Sequence, residues 1–332
     1  MMKYLWAGLS VFSILLLSGC SQKEVYKPEN IKGEWRTAGR LSAPISQVAQ
    51  SGAVLANGNI LTKAGEKKQK IPADFRLLNI TDGWIITQNS TNDLELIPED
   101  GVSEHVIIDL KRTVAAASIQ GDTLAILFGN NEMSLFSLQT KKMTFKESSN
   151  APIAVDARIA NPYFLKDLVV FLSLDGKIVI VNVTDKKLLR SIIVGSEEYF
   201  NNITYLNVIE NTMVASTGNT VLSLSEKENR EKYDVRDIAY TEDGIWLTTK
   251  QGEVIALSPT LQYKGKKKFP FAHFVGISIQ NDRVYVLEQG GYMIALSKNL
   301  LSFDVYDIDM KHNAVFVGDR KIYFDDRYIE IK

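Results

Sequence analysis

Short apolar runs of four to six residues, separated by turns of Gly, Asp and Asn, fill the chain from Gly52 to its end. The clearest stretch is Asp243–Ser258, DGIWLTTKQGEVIALS. Two β-branched and aromatic runs there, Ile245–Thr248 and Val254–Leu257, flank a turn at Gln251-Gly252. Runs of this length and texture around a Gly-containing gap predict an antiparallel hairpin. The same pattern recurs at Asp122–Leu138, Asp167–Val183, Asn211–Ser225 and Asn281–Ser297. With the second strand of each unit as marker, the series is Trp84, Leu124, Val169, Met213, Ile245, Val284 and Ile322, at intervals of 32 to 45 residues. A period near 40 with about four short strands per unit predicts an all-β fold, a β-propeller of four-stranded antiparallel blades.

Polarity within each unit sets the radial order. The marker strand and the one after it are apolar on both faces, as strands between stacked sheets must be. The fourth run is more polar and suits an outer edge, where charge discourages pairing with other chains. Leu188–Ile193, Phe303–Ile308 and the lysine-laden Tyr263–Lys268 are examples. Seven markers favour seven blades, the ring closed by pairing of the N- and C-terminal strands. The stretch Gly52–Pro72, with its hairpin turn at Asn57-Gly58, leaves an alternative: as a compact extra blade it would make eight, with Trp35–Ile45 closing the ring. It starts too near Trp84 to hold four strands of ordinary length, which is why seven is preferred.

The N-terminus is different in kind. Lys3, an apolar run from Tyr4 to Leu17 and then Leu17-Ser18-Gly19-Cys20 have the shape of an export signal, too short for a spanning helix. The last four residues resemble the bacterial lipobox. That resemblance implies cleavage before Cys20 and lipidation (diacylglycerol and palmitate) of its thiol, with Ser21 directing the product to the outer membrane. The chain then divides into a signal peptide at 1–19, lipidated Cys20 with a polar tether at 20–50, and the propeller at 51–332. Its later part, from Trp35 on, is expected to lie against the folded domain.

Composition narrows the chemistry. With 38 Lys+Arg against 39 Asp+Glu there is no net pull toward nucleic acid. One cysteine excludes an intrachain disulfide, and His105, His273 and His312 lack metal-ligand spacing. Asp304, Asp307 and Asp309 read as a solvated edge, without the Gly and further ligands of a calcium loop. No P-loop, nucleophile elbow or dinucleotide fingerprint occurs. The reading is therefore of a non-enzyme without cofactor or metal. Its candidate partner contacts are the aromatics Phe269, Phe271 and Phe274 around Pro270 and the lysines Lys266, Lys267 and Lys268. Packing between blades is the commoner use for such aromatics, and a protected outer strand for such lysines.

Asp175-Gly176-Lys177-Ile178-Val179-Ile180-Val181-Asn182-Val183-Thr184-Asp185-Lys186 resembles the repeat of pyrroloquinoline-quinone-like propellers; Gly252–Ser258 and Gly291–Ser297 match its first half. Behind a lipobox, such a propeller resembles the BamB family of outer-membrane assembly lipoproteins. The resemblance implies an eight-bladed periplasmic scaffold, monomeric within a complex, that binds the outer-membrane barrel insertase. Two other classes stay open: a ligand- or cofactor-binding, quinoprotein-like propeller using the central channel, and a surface-exposed adhesin.

Overall fold

The computed structural model describes residues 24–311 and 314–331; the signal segment, Cys20 and His312 lie outside the described residues. All regular structure among the described residues is strand. Seven sheets take four consecutive strands each, over residues 45–70, 75–109, 114–148, 163–193, 205–232, 235–268 and 274–307; an eighth takes three, over 315–330. These are blades 1 to 8. The ring has eight blades, not the seven preferred from the marker spacing.

The miscount has a local cause. Blade 1 is built from Ile45–Val48, Gly52–Leu55, Asn59–Thr62 and Gly65–Lys70, three of them only four residues long. Asn57-Gly58 and Lys63-Ala64 make the tight turns, Gly58 taking a φ of 86° that favours glycine. A full sheet thus fits where strands of ordinary length would not, and the disc starts ahead of residue 51.

Closure comes from further upstream. Gly39–Arg40 pairs antiparallel with Arg327–Glu330, supplying the outer strand of blade 8. Ala38 N donates to Tyr328 O (2.9 Å) and Leu41 N to Asp326 O (2.7 Å), while Arg40 bridges Asp326 at 2.8 Å. Just before it, Gly33–Glu34 adds a fifth, parallel strand to blade 7. Much of the segment read as a tether is therefore a strap along the rim.

The core is eight separate seams rather than one centre. Each apolar cluster lies between consecutive blades, from 1 and 2 round to 7 and 8. The last seam joins Leu41, Ile45, Ala53, Leu55 and Leu61 to Phe316 and Tyr323, which is blade 1 against blade 8. Burying both faces of the inner strands in this way excludes water from the seams, and closure of the ring leaves neither end blade with its inner strands uncovered.

Candidate functional site

Strands alternate in direction, so the connections between blades and the turns between second and third strands share one face of the disc, here called the upper face. Two of those connections are long: residues 149–162 between blades 3 and 4, and 194–204 between blades 4 and 5. They were detectable as the two longest marker intervals, 45 and 44 residues around Val169.

The 149–162 connection is tied across the channel at two levels, near the upper face at Arg158 and toward the lower face at Asn161, because Gln50 lies in the turn between the first and second strands of blade 1. Arg158 donates to the carbonyl of Arg236 in blade 6, and Asn161 N donates to Gln50 Oε1 of blade 1 at 3.2 Å. Neither blade is a ring neighbour of blade 4, so these bonds span the middle of the disc. Arg158 is held in turn by Asp156 at 2.6 Å. Burial pushes the Asp156 carboxyl up, but the hydrogen bonds and charge of Arg158 outweigh it and hold the group below the usual carboxylate range. Asp237, on the inner strand of blade 6, keeps a small exposed surface but is enclosed by chain inside the channel. Burial raises it above the usual range, only partly opposed by the N–H groups of Ile238 and Ile277 and the charges of Arg158 and Arg236.

The two connections are tied together. Asp156 N donates to Asn202 Oδ1 (2.6 Å), Asn202 Nδ2 donates to Arg158 O (2.9 Å), and Phe200 N donates to Ala154 O (3.1 Å). Between them lies a cleft of about 280 Å³ lined by Ile153, Asp175, Ile193, Glu197, Glu198 and Asn201. Lys177 bridges Asp175 at 2.6 Å, and Ser149 and Asn131 also donate to it. Burial acts to raise Asp175, yet these bonds prevail and keep it ionised, below its ordinary value. Asn201 donates to Asp175 O and Gly195 O, both at 2.9 Å, while its buried Oδ1 has no hydrogen-bond partner among the described residues.

Exposed apolar side chains stand around this cleft beside Glu197 and Glu198: Ile153 at 69%, Tyr199 at 50%, Phe200 at 54% and Ile193 at 53%. Phe200 holds a φ of 53°, a conformation that costs a bulky L-residue on the order of 1–3 kcal/mol and is imposed by its surroundings. Such a patch on a rigid frame can dock a partner without any bond being made or broken.

The candidate aromatics separate. Phe269 and Phe274 are buried in the seam between blades 6 and 7 and are not presented to a partner. Phe271 alone is displayed, 58% exposed with a φ of 63°, on the same upper face. Of the lysines, Lys266 bridges Glu253 at 3.0 Å, Lys267 lies over the Phe303 ring at 4.6 Å, and Lys268 is exposed at the edge of blade 6. His105 pairs with Glu95 (2.7 Å), and His273 N donates to Glu288 Oε1 (3.1 Å). Asp304 bonds Lys32 and Arg283, and Asp309 bonds Arg327. Among the described residues no group of three metal-ligating side chains forms. The sequence reading missed the 149–162 and 194–204 connections because their apolar residues sit at no repeated position.

These features define an eight-bladed β-propeller with a bridged channel and an exposed apolar patch on its upper face. No protein-family model matches the chain. It is 26% identical to a plasminogen-binding protein, PgbB, of Helicobacter pylori strain J99, over 96% of this chain and 70% of that protein. The counterpart in strain 26695 is 25% identical over the same shares. Among solved structures it is similar to BamB from Moraxella catarrhalis, with a TM-score of 0.69 and 13% identity over 87% of this chain and 97% of that one. The C-terminal WD40 domain of Sif2 has a TM-score of 0.61 at 10% identity, covering 94% of this chain and all of that one. In fold, then, the chain is a BamB-like β-propeller.

Proposed function

We propose that the protein is a non-catalytic binding platform, anchored by lipid at Cys20 to the outer membrane with its disc in the periplasm. The observation that carries this reading is the upper face over blades 4 and 5. Exposed Ile153, Tyr199 and Phe200 surround a cleft there, and the connection bearing one wall of that cleft also bridges the channel. A rigid ring holding apolar loops in fixed relation pays little entropy on docking, since the binding groups are already ordered. The partner proposed is the periplasmic part of the outer-membrane barrel insertase, by the likeness of fold to BamB.

A second reading rests on a separate observation, the sequence match to plasminogen-binding proteins along nearly the whole chain. In it the same propeller is displayed on the cell surface and binds a host protein. In-cell crosslinking of the full-length lipoprotein, followed by affinity purification and mass spectrometry, separates the two. Recovery of insertase subunits supports the first. Cleavage by protease on intact cells together with capture of soluble plasminogen replaces it with the second.

A further inference from the structure

The strap on the rim decides how far the disc can stand from its anchor. Tyr26 is buried between blades 6 and 7, its ring edge-on to Phe269 (5.9 Å) and Tyr292 (5.8 Å). Only six residue steps separate Cys20 from Tyr26. At 3.3–3.6 Å per residue they reach at most about 22 Å, whatever their conformation. A lipid on Cys20 would thus hold the rim of blades 6 and 7 against the bilayer rather than let the disc roam on thirty residues of tether.

That rim has the composition of a membrane-contacting surface. Val25 (60% exposed) and Ile31 (49%) lie on the strap, Tyr263 (60%) on the outer strand of blade 6 and Leu301 (83%) in the last turn of blade 7. Along the outer strand of blade 6 run Lys264, Lys266, Lys267 and Lys268, with Lys267 on the side facing blade 7 and Lys266 and Lys268 on the side facing blade 5. Of the neighbouring carboxylates, Glu253 is engaged by Lys266 and Asp304 by Lys32 and Arg283, while Glu24 and Glu29 on the strap are exposed. Phe303 joins the two elements, with Lys267 over its ring at 4.6 Å and Phe269 edge-on at 5.2 Å.

We infer that the rim of blades 6 and 7 is a contact surface for anionic phospholipid, which stands the disc on edge and leaves the upper face open sideways to a partner. The inference rests on the lipid anchor at Cys20. Exposed apolar side chains enter the headgroup region while lysines meet its negative charge, each contributing about fivefold in affinity near such a surface.

The test is an amine-labelling footprint read by mass spectrometry on the full acylated protein, in phosphatidylcholine vesicles containing phosphatidylglycerol and in neutral detergent micelles. Labelling of Lys264, Lys266 and Lys268 is expected to fall several-fold in the vesicles and to recover at ~1 M salt, where the Debye length is about 3 Å. Lys111 and Lys141, exposed near blades 2 and 3, should not change. In the variant K264Q/K266Q/K268Q, protection of Lys27 on the strap should weaken too, a readout independent of the substituted side chains. Equal labelling of the three lysines in vesicles and micelles, with acylation confirmed by intact mass, overturns the inference. So does protection of Lys111 and Lys141 instead. If the mass shows Cys20 without lipid, the anchoring reading fails separately. The unanchored chain with excess vesicles then decides the patch by the same comparison: selective protection supports it and equal labelling refutes it.

Discussion

Replacing Trp35 with Ala tests whether the strap is the latch of the ring. The indole sits between the last two blades, edge-on to Tyr306 (5.0 Å) and Tyr285 (5.8 Å) of blade 7, and its Nε1 donates to Glu330 O of blade 8 at 3.2 Å. Each edge-on pair is worth about 0.5–1.5 kcal/mol and the hydrogen bond about as much again. Because Trp35 is only half-buried, the loss falls at or below the low end for a core Trp→Ala change, about 2–3 kcal/mol. If the latch opens locally, hydrogen exchange should accelerate by about 30- to 150-fold at the amides of Ala38 and Leu41. These donate to Tyr328 and Asp326 across the closing strand. Ile126, central in blade 3, should keep its protection. Unchanged exchange at Ala38 and Leu41 would show that Trp35 does not hold the closure. A uniform rise that includes Ile126 would show that the ring opens only by global unfolding.

Two further changes probe the upper face. Asp237 has a raised pKa in the folded state, so the fold binds its proton more tightly than the unfolded chain does. The stability this contributes is complete below the ordinary Asp value of about 3.9 and is lost as pH rises through the folded value. Asp237→Asn should therefore match the parent in urea near pH 4 and exceed it at pH 8; a difference that stays constant with pH refutes the assignment. Phe200→Asn places a residue tolerant of positive φ at 53°, so stability in urea should hold or rise by about 1 kcal/mol while partner crosslinking falls. A clear loss of stability would mean that the ring supports the fold rather than a partner.

Much of the architecture can be read directly from the amino acids. The alternation of apolar runs with Asp-Gly and Asn-Gly turns specifies blades because a hairpin is a local object: residues such as Asp243-Gly244 and Gln251-Gly252 need only their own neighbours. The double-faced apolarity of Ile245–Thr248 announces stacking on both sides, and that too is local information. The number of blades, the latch and the bridged channel depend on groups far apart in the chain. Gly39 meets Tyr328, Trp35 meets Glu330, and Arg158 reaches Arg236, pairings with no periodic trace in either partner. Phe269 and Phe271 stand two residues apart and look alike as text, yet one is sealed in a seam and the other displayed. Local turn chemistry fixes each sheet. Only closing the ring decides which residues meet across its ends and its channel, because loop-spanning contacts form where the three-dimensional packing brings chain segments together, not where the sequence repeats.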